Sequence, residues 1–230
     1  MNCTVNLLAH TPNPDELVAA AARICYRDVT AADLLAGERE SLSDELLDHL
    51  WQSGHLSTFE HVSFTFAVDG LSRVASHQLV RHRLASFSQQ SQRYVKMTGE
   101  AVILPPTIRE NPEAADLFRE QAGAAWVAYQ RLIAMGIPAE DARFILPHGW
   151  ETRLVLTMNA RELHHFFRLR LCRRAQWEIR ALARQMLALC REVAPALFRR
   201  AGPACIFGSC GEARPCNRPY KNMEDLLAQD

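Results

Sequence analysis

Between residues 81 and 93 the chain carries a dense run of side chains that donate hydrogen bonds. The run holds three arginines, one histidine, three serines and three glutamines, and no acidic residue. Guanidinium groups form forked, charge-assisted hydrogen bonds with phosphate, and amides suit the polar edge of a base. The segment therefore indicates a site for a phosphorylated base, although solvated polar loops have a similar composition.

A second basic cluster lies between Asn159 and Arg174. Its five arginines occupy positions 161, 168, 170, 173 and 174. Helical spacing puts Arg161 and His165 on one face and Arg170 with Arg174 on another. We interpret this segment as a helix that faces a ligand. The alternative is an amphipathic helix whose arginines lie along the surface or pair with carboxylates elsewhere.

The glycines and the charge balance exclude several other kinds of site. No two of the ten glycines are separated by a single residue, so the GxGxxG fingerprint is absent, and so is a GxxxxGK[ST] loop. Twenty-six basic residues balance 26 acidic ones, which argues against a nucleic-acid-binding protein. All of these basic residues except Lys96 and Lys221 are arginine. A coding bias explains that number, but it does not explain why the arginines cluster.

The chain has the composition of a protein that stays in the cytoplasm. No apolar run approaches the ~18 residues of a membrane span, and the N-terminus lacks the pattern of a secretory signal. Seven cysteines, an odd number, fit reduced thiols better than a disulfide framework. We therefore expect a cytoplasmic protein with neither a membrane nor a nucleic acid as partner.

The elements that must position the two clusters follow from hydrophobic periodicity and helix-start signals. We predict strands over residues 3–9, 61–69, 101–104 and 150–158. We predict helices that begin at Asn13-Pro14 and after Asn159, and others over residues 43–53, 71–84, 112–135 and 175–191. The 71–84 helix would carry Arg81, His82 and Arg83 in its last turn, and a polar loop, SFSQQSQRY, would follow it.

The interleaved helices and alternating strands predict an α+β fold around a mostly antiparallel sheet. In the 61–69 strand, Val62, Phe64, Phe66 and Val68 would form the buried face. Glu162 stands three positions after Asn159, which is the spacing of a capping box. We predict a single domain over residues 1–202 and a tail rich in Gly, Pro and Cys over residues 203–230.

Four spaced segments of the chain resemble one family. Arg81 to Tyr94 reads RHRxxSxxxxSxRY, and the other three segments are HLSTFEH at 55–61, ARFILP at 142–147 and NAREL…LR…AQWEIR at 159–180. Together they resemble the signature of the flavin-dependent thymidylate synthases (the ThyX family), in the same order along the chain. The resemblance runs from about residue 50 to residue 195.

This resemblance implies an enzyme of nucleotide biosynthesis, a methyltransferase that converts dUMP to dTMP. Methylenetetrahydrofolate would supply the carbon, and reduced FAD, regenerated by NADPH, would supply the hydride. The family's members are homotetramers whose active sites are shared between subunits. A protein that binds the nucleotide without turnover is the alternative from another class.

The resemblance also implies the site residues. Those expected to face the flavin are Ser57, Arg81, His82, Arg83, Gln89, Asn159, Arg161 and His165. Those expected to surround dUMP are Gln78, Leu79, Val80, Arg81, Gln89, Gln90, Ser91, Gln92, Arg93, Arg143 and Arg170. Within this set Arg93 and Arg143 would take the phosphate, Ser91 would donate a hydrogen bond to it, and Arg170 would act as the catalytic residue against the pyrimidine.

Four positions depart from the family pattern. Gln89 stands where many members have Glu, Ser88 and His165 where they have Asn, and Arg174 where they have His. Gln89 and His165 keep hydrogen-bonding capacity, so the flavin site is expected to survive. Arg174 adds a permanent charge, and we leave it out of the expected site.

Two metal hypotheses compete with this interpretation. Cys205, Cys210 and Cys216, with Cys172, could supply four ligands, although their spacing is not that of paired CxxC motifs. A metal-dependent hydrolase built on His55, Glu60 and His61 is a second rival, but the HxxxxEH spacing does not place two ligands on one helical face. We expect no metal at either place.

Overall fold

The computed structural model describes residues 3–28, 30, 32–33 and 44–228. The strands are β1 (Thr4–His10), β2 (Ser63–Ser72), β3 (Ala85–Gln89) and β4 (Glu151–Asn159). The helices are α1 (Pro14–Tyr26), α2 (Asp44–Ser53), α3 (Arg73–Leu79), α4 (Pro106–Arg109), α5 (Pro112–Ala134), α6 (Ala139–Ala142), α7 (Ala160–Arg170), α8 (Trp177–Val193) and α9 (Met223–Leu227). Short 3-10 turns occupy Leu56–His61, Arg143–Ile145 and Ala204–Ile206.

The four strands form one antiparallel sheet in the order β1-β2-β4-β3. The alternation predicted for β2 is confirmed, because Val62, Phe64, Phe66 and Val68 are each no more than 1% exposed. The α+β class with a mostly antiparallel sheet is confirmed as well. In the part of the chain that is described, no helix combines the length and the apolar character that crossing a membrane requires.

The helix predicted over residues 71–84 is wrong at both ends. Leu71 and Ser72 still belong to β2, and α3 begins after Ser72, whose hydroxyl accepts a hydrogen bond from the Ala75 amide at 3.0 Å. The helix ends at Leu79, so Arg81, His82 and Arg83 follow it in a turn. His82 is buried against another helix, and this tertiary contact overrides the local helical pattern.

The polar loop predicted after Leu84 contains a strand instead. Residues 85–89 form β3, and just beyond it the Gln90 amide donates to the Arg153 carbonyl at 2.9 Å. Backbone pairing with β4 outweighs the polar side chains, which any edge strand tolerates. The strand predicted over 101–104 is only an isolated antiparallel bridge between Val102 and Trp150, because Pro106 starts α4 immediately afterwards.

The helix boundaries elsewhere follow the expected signals, with one exception. Gly54 and Gly136 adopt positive φ angles of 78° and 84° just past the ends of α2 and α5, where glycine is favoured. The predicted first residue of α2, Ser43, lies outside the described residues. Asn13 does not cap α1 with its side chain; it takes a left-handed conformation with φ 46°, and Pro14 starts the helix.

Two compact units divide the chain. One contains residues 68–81 and 87–155, and its core is a cluster of Tyr129, Ala142, Leu146 and Trp150. Trp126 stacks on Tyr129 with ring centroids 5.5 Å apart, and the Tyr129 hydroxyl accepts a hydrogen bond from the Met97 amide at 3.0 Å. This core packs α5 against the segment that precedes β4.

The other unit contains residues 5–67, 82–86 and 156–230. Its core is aromatic: Phe64, Phe166, Phe167 and Phe198 are fully buried and contact one another edge to face. The segment from residue 203 onward belongs to this unit. The Arg173 guanidinium lies 4.1 Å from the centroid of the Tyr220 ring, and Leu226 of α9 is fully buried. The domain boundary at 202 stays a prediction.

His164 is a buried polar group inside that aromatic core. Its Nε2 donates to the Leu197 carbonyl at 3.0 Å, and its ring lies 4.3 Å from Trp51 and 5.3 Å from Phe198. Its Nδ1 is buried with no hydrogen-bond partner among the described residues. Burial lowers the pKa of His164 from 6.5 to about 4, and the bond to Leu197 only partly opposes this shift.

The folded protein should therefore lose stability as the pH falls from 6.5 towards 4. In that window the unfolded chain binds a proton at His164 and the folded chain does not, so the stability present above pH 6.5 declines by up to about 3 kcal/mol. Urea unfolding across this range measures the slope. His164→Phe should flatten it, whereas His49→Phe, at an exposed histidine of α2, should not. An unchanged slope in His164→Phe would contradict this assignment.

Candidate active site

The residues expected to face a flavin lie mostly in the second unit. Ser57, Arg83, Arg161 and His165 are exposed there, and Arg161 forms an ion pair with Glu60. Asn159 ends β4, and its side-chain oxygen accepts from the Glu162 amide at 2.9 Å, which confirms the predicted cap of α7. Arg81 and Gln89 belong to the other unit.

His82 is the buried centre of this set. Its Nδ1 lies 2.8 Å from Glu162 Oε1, and its Nε2 lies 3.0 Å from Nε of Arg170. Glu162, Phe166 and Arg170 follow one another at four-residue steps, so they form one stripe along α7. The His82 ring packs edge to face on Phe166, with centroids 5.0 Å apart, and is thus held between the carboxylate and the guanidinium.

These contacts define the protonation state of His82. The Arg170 Nε can only donate, so the Nε2 of His82 must accept and the ring proton must lie on Nδ1, where it is donated to Glu162. Burial lowers the pKa of His82, the hydrogen bond to Glu162 raises it, and the charge of Arg170 lowers it. His82 is therefore a neutral Nδ1–H imidazole at neutral pH.

Sequence reasoning missed Glu162 as a member of the site and assigned it only to the capping box. Glu162 is 5% exposed, and its carboxylate accepts a hydrogen bond from His82. The four-residue spacing of Glu162, Phe166 and Arg170 was the available signal, because a buried acid two helical turns before a site arginine shares its face.

The residues expected to surround a nucleotide lie in the first unit, with the exception of Arg170. Gln78 and Leu79 end α3 and Val80 and Arg81 follow it, whereas Gln89 ends β3 and Gln90–Arg93 follow that strand. Gln89 Nε2 donates to the hydroxyls of Ser76 and Thr152 at 3.1 and 3.0 Å. The Ser91 hydroxyl accepts from the Arg93 amide at 3.2 Å, which orders the turn after β3.

Two phosphate-binding candidates, Arg93 and Arg143, converge on Glu140. Arg93 forms an ion pair with the Glu140 carboxylate, and Arg143 Nε donates to the Glu140 carbonyl at 3.0 Å. Both partners of the Arg93 pair are exposed to solvent, so this pair stabilises the structure little and is readily exchanged. Glu140 thereby contacts both guanidinium groups, one with its carboxylate and one with its carbonyl.

Two buried donors of the same unit have no hydrogen-bond partner within the described residues. They are Nε2 of Gln92, a residue that is 6% exposed, and Nη1 of Arg73. Burial lowers the pKa of Arg73, and the charge of Arg143 adds to that shift. Buried donors are usually satisfied, and orphaned ones beside a second cation mark a place for an anionic ligand.

Arg73 is a second residue that sequence reasoning missed. It is the first residue of α3, directly after the buried strand β2, and the signal was an arginine at the strand-to-helix junction immediately beside Ser72. The motif resemblance did not include this position.

Among the described residues, one group of three could hold a metal ion, namely His82, Glu162 and His165. Both ring nitrogens of His82 already take part in hydrogen bonds, one with Glu162 and one with Arg170, whereas His165 only packs its ring against His82. The group includes none of His55, Glu60 and His61, and none of the cysteines. The two metal hypotheses therefore stay untested.

The C-terminal cysteines lie around a cavity of about 450 Å³ in the second unit, whose lining includes Cys172, Cys205, Cys210 and Cys216. All seven cysteines are free thiols. Arg174 also lines the cavity; it donates to the Arg214 carbonyl at 2.5 Å and lies 3.5 Å from Glu212. Arg174 therefore pairs with the tail.

Comparison with known proteins identifies the class of this fold and site. The family described as "Thymidylate synthase complementing protein" matches residues 6–196. The flavin-dependent thymidylate synthase of Geobacter sulfurreducens is 49% identical over 95% of this chain and 98% of its own length. That of Clostridium tetani is 44% identical over 95% of this chain and 94% of its own length.

A solved structure agrees with these relatives. The UMP/dUMP methylase PolB from Streptomyces cacaoi, bound with 5-Br dUMP, superimposes with a TM-score of 0.75 and 29% identity, and the match covers 86% of this chain and 93% of that one. The fold is thus that of an enzyme family. The chain belongs to the flavin-dependent thymidylate synthase family, so the resemblance and the enzyme class inferred from the sequence are confirmed.

Proposed function

We propose that this protein methylates dUMP to dTMP with methylenetetrahydrofolate as carbon donor, FAD as the bound flavin and NADPH as the source of electrons. The proposal is supported by membership of the family and by the motif residues in both units. Free thiols throughout the chain and these co-substrates accord with a cytoplasmic location.

The observation that carries the proposal is the pair of orphaned donors, Arg73 Nη1 and Gln92 Nε2, in the unit that holds the nucleotide residues. Among the described residues the buried Nη1 of Arg73 has no hydrogen-bond partner, and a nucleotide phosphate would supply an anionic acceptor for it. We assign the phosphate to Arg93 and Arg143, with Arg73 beside them. Ser91 donates its hydroxyl proton to a phosphate oxygen, since its neighbours cannot act as a base to make it a nucleophile.

In the free protein the Glu140 carboxylate binds Arg93 where a phosphate oxygen binds it in the complex. When dUMP binds, Arg93 exchanges the Glu140 carboxylate for a phosphate oxygen. The exchange costs little because the pair is solvent-exposed. Arg143 keeps its bond to the Glu140 carbonyl, which holds α6 in place during the exchange.

The flavin is assigned to Ser57, Arg81, His82, Arg83, Gln89, Asn159, Arg161 and His165. The residues present fit an anionic dinucleotide, because Arg83, Arg161 and His165 are exposed donors on one unit. When bound, a reduced flavin supplies a hydride. The chain orients it through these donors, and Arg161 exchanges Glu60 for the ligand.

Arg170 is the residue that we assign to the reacting ring. No cysteine occurs between residues 81 and 94 or between 159 and 171 to attack the pyrimidine as a thiolate. The ring must therefore be polarised. A guanidinium held against N3 and a carbonyl oxygen stabilises the negative charge that develops there, and fixed donors of this kind contribute roughly 3–4 kcal/mol each in other enzymes.

The protein should be a homotetramer with active sites shared between subunits, as the family resemblance implies. Light scattering of the purified protein checks this and should give about four times the chain mass of 26.0 kDa. A monomer that binds FAD and turns over would contradict the proposal.

Purified protein should show a bound flavin spectrum and should form dTMP only when dUMP, methylenetetrahydrofolate and NADPH are all present. Product formation followed by chromatography measures this, with omission of each co-substrate as the control. UMP is assayed beside dUMP because the PolB neighbour is a UMP/dUMP methylase. Bound flavin without dTMP would favour the non-catalytic alternative and overturn the proposal.

Arg170→Lys should lower dUMP-dependent flavin oxidation on the order of 100-fold while flavin content and dUMP affinity stay close to those of the wild type. Lysine keeps the charge but lacks the planar fork that fits N3 and a carbonyl oxygen together. Arg168→Lys, at an exposed position of the same helical turn, is the matched control and should remain within about twofold of the wild type. Loss of flavin and of melting temperature without a specific loss of turnover would show that Arg170 only holds its helix.

A further inference from the structure

Two buried polar side chains lie next to Arg170. The packing of α7 alone does not require either of them. Glu162 and His82 are 5% and 4% exposed. Burying a carboxylate and an imidazole is unfavourable unless each is hydrogen-bonded, and an apolar pair on Phe166 would pack α7 equally well. The presence of two hydrogen-bonded polar groups at this buried position indicates that they orient a neighbouring side chain.

We propose that Glu162 and His82 are positioning residues for Arg170: Glu162 fixes the Nδ1–H tautomer of His82, and the bare Nε2 of His82 fixes the plane of the Arg170 guanidinium. The inference rests on the role proposed for Arg170 in pyrimidine activation.

The geometry explains how the plane is fixed. Nε lies in the guanidinium plane, so a bond from Nε–H to the in-plane lone pair of His82 restricts rotation of the whole fork. The His82 ring is itself held by the Glu162 carboxylate at 2.8 Å and by the Phe166 ring beneath it. Because the guanidinium of Arg170 is oriented before the reaction, it does not have to reorganise when charge develops on the pyrimidine.

The arrangement makes activity sensitive to protonation of His82. An imidazolium has no acceptor at Nε2, so the bond to Arg170 is lost and two cations face each other. The groups that face His82 are Glu162, Arg170 and His165, with Phe166 as the apolar contact. Burial lowers the pKa of His82, and Glu162 raises it whereas Arg170 and His165 lower it. Turnover should therefore decline on the acid side of the ordinary histidine range.

The first test observes the tautomer without flavin or turnover. Protein labelled with ¹⁵N-histidine is titrated by NMR, and the His82 signals are those missing from His82→Gln. The expected spectrum shows a proton on Nδ1 and a bare Nε2. The midpoint of the His82 titration should move to lower pH in Glu162→Gln and to higher pH in Arg170→Gln, by roughly one pH unit each. Glu178→Gln removes another buried carboxylate of the same unit and should not move it.

The second test uses rescue by a conservative variant. His82→Phe keeps the ring on Phe166 but removes the acceptor, and it should lose on the order of 100-fold in kcat with little change in the KM for dUMP. His82→Gln returns an acceptor oxygen that does not titrate. It should recover about tenfold and abolish the acid limb that His82 causes in the kcat profile.

The outcomes separate this inference from the proposed function. A proton on Nε2, immobile midpoints, or equal losses in His82→Phe and His82→Gln would each overturn the positioning role even if the wild type makes dTMP. A wild type that makes no dTMP would overturn the function while the NMR titration still decides the tautomer. If a substitution at either buried position unfolds the protein, the half-buried Arg170→Gln decides the question by the same titration, and an immobile midpoint there overturns the role.

Discussion

The hydrogen bond between the buried His82 ring and Arg170 is the contact on which the proposed chemistry depends. It joins a turn that follows α3 to the last residue of α7, across 88 positions of sequence. The bond exists because α7 begins at a fixed register. Asn159 caps the helix, and this start sets Glu162, Phe166 and Arg170 along the stripe that receives the imidazole. A shift of one residue at the cap would turn each of the three side chains by about 100° around the helix.

In the first unit, contacts within the chain hold the arginines that we propose to bind the phosphate. Glu140 neutralises Arg93 with its side chain and restrains Arg143 with its carbonyl. Arg73 is held by burial, and its backbone amide donates to the Trp150 carbonyl at 3.1 Å. The core around Trp150 and Tyr129, together with backbone pairing, thus holds the elements that carry these arginines.

The sequence was sufficient wherever periodicity and a local stop signal agreed. The alternation of β2, the cap at Asn159 and the long helix α5 are of this kind. The predictions between Leu71 and Gln89 were wrong. The burial of His82 overrides the helical pattern there, and pairing with β4 makes the polar segment a strand. Motif resemblance supplied the site residues, but it missed Glu162 and Arg73. Their importance comes from burial and from contacts with residues that are distant in sequence. A motif specifies residue types and spacing but not these tertiary contacts.

The aromatic packing around His164 has a consequence for spectroscopy. Trp51 lies 4.3 Å from the imidazole, within the range at which a protonated ring quenches indole fluorescence by accepting an electron. Trp126 and Trp150 pack against each other in the other unit with tilted rings, whose centroids are 5.5 Å apart, and the described part of the chain brings no histidine ring into contact with them. The emission of a single-tryptophan variant that retains Trp51 would therefore fall when His164 is protonated, so the fluorescence of this indole reports the protonation of one buried side chain.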